Sequence, residues 1–344
     1  LLKRLKDVLY IPYTIRLFVI DKEKYMTIVI ISHKDDLDGI ISAALIKRIY
    51  MKDKKNNIKI FLCSHYEVIS IVKEIDWSEI ESLYLLDLPL NDDEIRYVRN
   101  INSNVHISYF DHHYLQSKNM EKIRNAVDEV ELNYKMCSAE IIEKKYQFKD
   151  SYIKMLVLMS ATMDFMKKTR VSNLCIALAK ILSILNLDEL IQLVDDFAQN
   201  EVLENGGILK EKYRDYLENA ENVEKSTLNF TDFLYTLQIN DIRLAILYLN
   251  DNSINIKYIF WKLSTENHAD IYMIMIKENQ NIFISKSLEY KKYLSIDLYC
   301  ANRGGGGRND AGGFKSNIIF SEDNYRESAV RIIEELNSFR EEIK

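Results

Sequence analysis

Between Met26 and about Asp195 the hydrophobic positions follow two alternating periods. Thr27–Ile31, Ile58–Cys63, Leu83–Leu86 and Val105–Phe110 are short, mainly apolar runs of strand length. Between them the spacing is that of helices: Gly39–Tyr50, Tyr66–Glu74, and a segment opened by Asn91 or Asp92 as N-cap. Apolar strands alternating with helices predict a parallel α/β sheet covered on both faces. From Ser138 to Asp195 the spacing is helical and is expected to close this first domain.

The pattern then changes. Residues 196–228 are charged, mostly helical and broken by Gly206-Gly207, as expected of a connection. A second domain is expected from near Asn229, with strands Arg243–Tyr248, Ile271–Ile276 and Ile282–Ser285 and a closing helix Asn324–Arg340. The expected fold class is therefore α/β. A parallel-sheet N-terminal domain (26–195) is joined by a helical connection (196–228) to a smaller α/β domain (229–344). Residues 1–25 mix Lys3, Arg4, Lys6 and Arg16 with short apolar runs and lack a signal-peptide core. They are expected to be an extension that the core fold does not need.

Composition narrows the function classes. A chain of 344 residues suggests about two cores, and 47% hydrophobic residues can fill them. A formal net charge of −6 excludes a strongly basic nucleic-acid coat, so phosphate binding must be local or metal-assisted. Cys63, Cys137, Cys175 and Cys300 stand singly, which argues against a zinc knuckle and for reduced thiols in the cytoplasm. No apolar run is long enough to predict a membrane span.

The candidate chemistry lies at the ends of the predicted strands. His33-Lys34-Asp35-Asp36-Leu37-Asp38-Gly39 follows the first, Asp87 the third, and Asp111-His112-His113 the fourth. Asp164 sits later, in an apolar helical stretch where a buried carboxylate needs a partner. Parallel strands bring their C-terminal ends to one crevice. Oxygen and imidazole donors there suit Mn²⁺ or Mg²⁺ better than a soft thiolate site. Asp35 and Asp36 are both open as the first acidic ligand. Adjacent His112 and His113 project differently, so one can bind metal while the other faces substrate. In the second domain six of the nine glycines fall between Gly304 and Gly313, flanked by Arg303 and Arg308. Gly305, Gly306 and Gly307 allow backbone amides to approach an anion closely, and the arginines can pair with phosphate.

This ordered set resembles the DHH phosphoesterase superfamily, and Gly304–Gly313 resembles the glycine-rich signature of its DHH-associated C-terminal domain. The resemblance spans nearly all of the chain from Met26 onward. It includes RecJ-like exonucleases, nanoRNases, pAp phosphatases and cyclic-dinucleotide phosphodiesterases. It implies two Mn²⁺ ions, one held by His33 and Asp36, the other by Asp38, His112 and Asp164, with Asp87 bridging. It further implies that Asp111 and His113 are catalytic, with His113 contacting the scissile phosphate, and that the glycine element and Lys286 grip the substrate. The spacing from His33 to the acids differs by a residue from the commonest version. Arg308 stands where nanoRNase-like members carry His, and Lys286 where many carry Arg; both keep positive charge. The implied activity is exonucleolytic hydrolysis of single-stranded or short oligonucleotides to mononucleotides. Its alternatives are a phosphatase of small nucleotides such as pAp or a linear dinucleotide, and a replication scaffold with weak or no catalysis. The expected partner is the oligonucleotide, with no membrane and with a homodimer allowed.

Overall fold

A computed structural model of the chain describes residues 26–64, 67–101, 104–113, 117–204, 207–227, 234–250, 255–287, 289–290, 294–308 and 310–342. The expectation for residues 1–25 and the start of the second domain near Asn229 lie outside these residues.

The first half alternates as the hydrophobic pattern requires. β1 (Thr27–His33) leads to α1 (Leu37–Tyr50), β2 (Asn57–Cys63) to α2 (Val68–Glu74), β3 (Ser82–Leu86) to α3 (Asp92–Arg99), and β4 (His106–Asp111) to α4 (Ser117–Arg124). Asn91 caps α3 in a capping box with Glu94. β5 (Glu129–Leu132) completes a five-stranded sheet in the order β2-β1-β3-β4-β5, with every pairing parallel. The sequence reading missed β5, because this edge strand alternates Glu129 and Glu131 with apolar residues and is only half-buried. Side chains alternate across the central strands. Ile28 and Ile30 face a core shared with α1 and the later helices, while Val29 and Ile31 face a second core with α2 and α3.

The helical stretch resolves into α5 (Ser138–Tyr146), α6 (Ser151–Asp164), α7 (Ser172–Ile184) and α8 (Leu187–Ala198). The connection contains a small hairpin, β6 (Leu203–Glu204) with β7 (Ile208–Leu209), before α9 (Glu211–Thr227).

The second sheet is mixed, in the order β12-β13-β11-β10-β9-β8. Its strands are β8 (Leu234–Ile239), β9 (Ile242–Leu249), β10 (Ile271–Ile276), β11 (Asn281–Lys286), β12 (Gly306–Arg308) and β13 (Ala311–Lys315). α10 (Ile256–Glu266) precedes β10, α11 (Ile296–Ala301) precedes β12, and α12 (Tyr325–Glu342) ends the chain. Tyr258, Phe260 and Trp261 of α10 join the same buried cluster as α7 and the inner face of β9 and β10, so α10 lies between the halves. Glu224 of α9 accepts from Tyr258 at 2.5 Å and pairs with Lys262 at 2.7 Å, both on α10, and with Lys180 of α7 at 3.0 Å. Burial opposes ionisation of Glu224, but Lys262, Tyr258 and Lys180 outweigh it and hold its carboxyl at about 2.

The expected glycine-rich loop is a β-hairpin for much of its length, with Gly306 facing Gly313 and Arg308 facing Ala311. The glycines permit close backbone approach: a Cβ on Gly307, where φ is +154°, would lie 2.3 Å from the Ala311 carbonyl oxygen.

Gly39 is equally constrained, since its Cβ would lie 2.1 Å from the His33 carbonyl oxygen. Gly39→Ala should lower the unfolding free energy by about 1–3 kcal/mol, the usual cost of overpacking. Gly306→Ala meets nothing within 4 Å and should change it by less than about 0.5 kcal/mol. Urea denaturation of both variants checks the contrast.

Candidate metal centre

The strand order has a switch point between β1 and β3, from which the chain winds in opposite directions; ligands of such sheets bind at the carboxyl ends of the strands there. His33 ends β1, Asp87 follows β3, and Asp111 ends β4 with His112 and His113 beyond it. α1 starts against β1 with Asp36 as its N-cap: Asp36 Oδ1 accepts from the Asp38 and Gly39 amides at 2.9 and 3.1 Å. Its Oδ2 is left facing His33 Nδ1 at 3.2 Å. Asp36 is buried, whereas the Asp35 side chain is 55% exposed and accepts from Ser64, so Asp36 is the acid in the cluster.

Asp87 stands at the centre. It is buried, with His112 Nε2 3.2 Å and Ser138 Oγ 3.1 Å from Oδ1, and His33 Nδ1 3.8 Å from Oδ2. Its φ of +56° is a left-handed conformation that Asp tolerates better than most residues. Burial first, then the charges of Asp38 and Asp36, push its carboxyl well above the usual range. Burial opposes ionisation of Asp36 too, but Lys257 and His33 outweigh it and hold that carboxyl well below its usual value. Burial alone would lower the imidazole of His33. Asp36, Asp35 and Asp87 prevail and raise it to about 10.

Asp38 is committed to helix α5. Its Oδ2 accepts from the Ser138 amide at 2.7 Å, and its Oδ1 accepts from the Ala139 amide at 2.9 Å and from Ser160 Oγ at 2.5 Å. It remains near the cluster, 3.6 Å from His112 Nε2. Asp164, ending α6, lies 3.6 Å from His112 Nδ1. Asp111 is also saturated: Oδ2 accepts from Tyr109 at 2.5 Å, and Oδ1 lies 2.7 Å from His113 Nδ1 and accepts from the His112 amide at 2.8 Å. Burial opposes its ionisation, but His113, His112 and Tyr109 hold it at about 2. The His113 side chain is 19% exposed and the His112 side chain 1%, so His113 faces the opening and His112 is sealed inside.

Two groups of atoms lie within 4.8 Å of one another: those of His33, Asp36 and Asp87, and those of Asp87, Asp111, His112 and His113. Asp87 is common to both. Asp87 Oδ2 and His112 Nδ1 are buried without a hydrogen-bond partner, an oxygen and a ring nitrogen placed where a cation could use them. This donor chemistry fits a hard divalent metal.

The second half contributes a residue that sequence reading missed. Lys257 of α10 lies 2.7 Å from both Asp36 Oδ2 and Asp164 Oδ1. Ser160 was readable in principle, one helical turn before Asp164 on the same face. The expected substrate-binding residues are placed differently from one another. Lys286 ends β11 beside Ser285, whose Oγ is 3.9 Å from Met166 Sδ, two residues beyond Asp164. Arg303 stacks on Tyr299 at 3.6 Å and bonds Glu335 at 2.8 Å, packing α11 on α12. Gly305, Gly306 and Gly307 belong to the hairpin, and the Arg308 side chain lies outside the described ones.

No protein-family model and no curated protein sequence matches the chain. Solved structures match its fold along most of its length. An exopolyphosphatase-related protein of Bacteroides fragilis is 12% identical with a TM-score of 0.52, over 92% of both chains. An exonuclease RecJ bound to manganese is 10% identical with a TM-score of 0.50, over 90% of this chain and 91% of that one. RecJ from Thermus thermophilus in complex with Mn²⁺ gives 10% and 0.50, over 89% of this chain and 51% of that one. At these identities the likeness is one of fold. The chain has the two-part α/β fold of these structures, as the alternation of its strands and helices predicts.

Asp87 holds its proton to higher pH in the folded state than in the unfolded chain, where such a carboxyl releases it near pH 4. This group's contribution to stability therefore falls as pH rises above about 4. Asp87→Asn removes that penalty and tolerates the left-handed backbone. In EDTA the variant should melt above the original protein at pH 8, with a smaller gap at pH 5. Thermal melts at both pH values check the sign.

Proposed function

We propose that the chain is a divalent-metal-dependent phosphoesterase that hydrolyses single-stranded or short oligonucleotides from an end, releasing mononucleotides. The observation that carries this reading is the sharing of buried Asp87 between two groups of ligating atoms, with an oxygen on Asp87 and a nitrogen on His112 that make no hydrogen bond. In this reading His33, Asp36 and Asp87 hold one Mn²⁺, and Asp87 and His112, with Asp164 and Asp38 beside them, hold a second; Mg²⁺ is an allowed substitute. When bound, such a pair supplies a water activated at neutral pH and positive charge for a phosphoryl group. Asp111 lies 2.7 Å from Nδ1 of His113 and orients the ring at the opening, and in this reading His113 contacts the scissile phosphate. In this reading residues 26–195 are the catalytic part and residues 229–344 grip the substrate, Lys286 among them. The nuclease and manganese named for the RecJ structures of this fold support the reading. The net charge of −6 favours short strands, because long strands recruit a basic channel.

End-labelled RNA and DNA of graded length, incubated with Mn²⁺, test the proposal. The expected result is stepwise shortening that stops in EDTA. Absence of hydrolysis at every length, in protein shown to hold metal, would overturn it. Turnover confined to pAp or a linear dinucleotide would assign the small-nucleotide phosphatase instead. His113→Asn should lower turnover by about 10²-fold or more with metal content unchanged, as expected for loss of a group acting on the reacting phosphate. Asp87→Asn should lower metal content itself, read by elemental analysis of the same samples.

A further inference from the structure

The chain carries its own cation into the acidic cluster. Lys257 lies in the first turn of α10, and its ammonium bridges Asp36 and Asp164 at 2.7 Å each. These carboxylates face different imidazoles, Asp36 towards His33 and Asp164 towards His112. The bridge is aimed by its neighbours. Asn255 caps α10 through the Tyr258 amide, donates to the Asp35 carbonyl at 2.8 Å, and bonds Ser183 of α7 through its own amide at 2.9 Å. The start of α10 is thus tied to the first half at Asp35 and at Ser183.

A divalent ion beside His33 must approach Asp36 Oδ2, the oxygen that Lys257 holds, at roughly 2.0–2.6 Å, because Oδ1 caps α1; on Asp164 Lys257 holds Oδ1 while Oδ2 faces His112. An ammonium 2.7 Å from those oxygens and a metal ion cannot share that space, and their like charges repel strongly at such range. The Lys257 side chain is 31% exposed, so its head has a route to water while its stem stays packed. We infer that Lys257 is a displaceable counter-ion of this centre. It neutralises Asp36 and Asp164 in the metal-free protein, and metal binding expels it, so that metal loading is coupled to the seating of α10 on the first half. By reciprocity, whatever loosens α10 strengthens metal binding. The inference rests on the reading of the cluster as a metal centre.

The test uses the whole chain and reads Lys257 directly. Acetic anhydride labelling, quantified by peptide mass spectrometry with exposed Lys154 as the internal reference, is run in EDTA and in Mn²⁺. Displacement predicts at least threefold more labelling of Lys257 in Mn²⁺. Calorimetric titration of Lys257→Met should show Mn²⁺ binding at least tenfold more tightly, and in EDTA this variant should melt below the original protein. Unchanged labelling with bound Mn²⁺, or a variant that binds Mn²⁺ no more tightly, overturns the inference and leaves the metal centre standing. Failure of both proteins to bind Mn²⁺ overturns the metal centre and the inference together.

Discussion

Five buried carboxylates, Asp36, Asp38, Asp87, Asp111 and Asp164, converge at the carboxyl ends of β1, β3 and β4, and much of the local structure exists to make that tolerable. An uncompensated buried charge costs several kcal/mol. Each carboxylate here is treated differently. Asp36 is neutralised by the first turn of α1 and by charged partners; Asp38 by the amides that open α5; Asp111 by Tyr109 and two backbone amides. Asp87 is the least compensated, held in a strained backbone conformation with one oxygen that makes no hydrogen bond. Strain and unmet hydrogen-bonding capacity in one residue mark where the fold has been shaped for something other than its own stability.

The sheet explains why these groups meet. Parallel pairing in the order β2-β1-β3-β4-β5 brings three acidic strand ends side by side, and the reversal beside β1 opens a crevice above them. Gly39 then lets α1 start in contact with the His33 backbone, which sets Asp36 and Asp38 over the same point. At the mouth of that crevice the exposed edge of His113 is presented, and its orientation is set by the Asp111 carboxylate.

Most of the first half was legible from short-range pattern. Apolar runs followed by acids announce strand ends, and period 3.6 announces the helices between them. What escaped had physical reasons. β5 and β8 are edge strands with polar residues on their open sides, so neither produces an apolar run. The glycine segment reads as a loop because glycine has no strand propensity, yet here it permits two backbones to touch. The acids and histidines of the cluster could be gathered because each follows a strand. Lys257 could not, since it is 93 residues from Asp164 and occupies an ordinary amphipathic helix. Arg303, a cation flanking a glycine run, suggests an anion from sequence alone; pattern gave no sign of its contacts with the Tyr299 ring and Glu335.

The meeting of Lys180, Tyr258 and Lys262 on Glu224 gives the connecting helix a mechanical role. α9 is a strut rather than a tether, because one carboxylate fastens it to α7 on one side and to α10 on the other. α10 is then a short lever with two loads. Lys262 bears on the strut, and Lys257, five residues earlier on the same rigid rod, bears on the acidic cluster. A disturbance at Glu224 would reach Asp36 and Asp164 without altering any residue of the crevice, so the acidic cluster can be tuned from the connector.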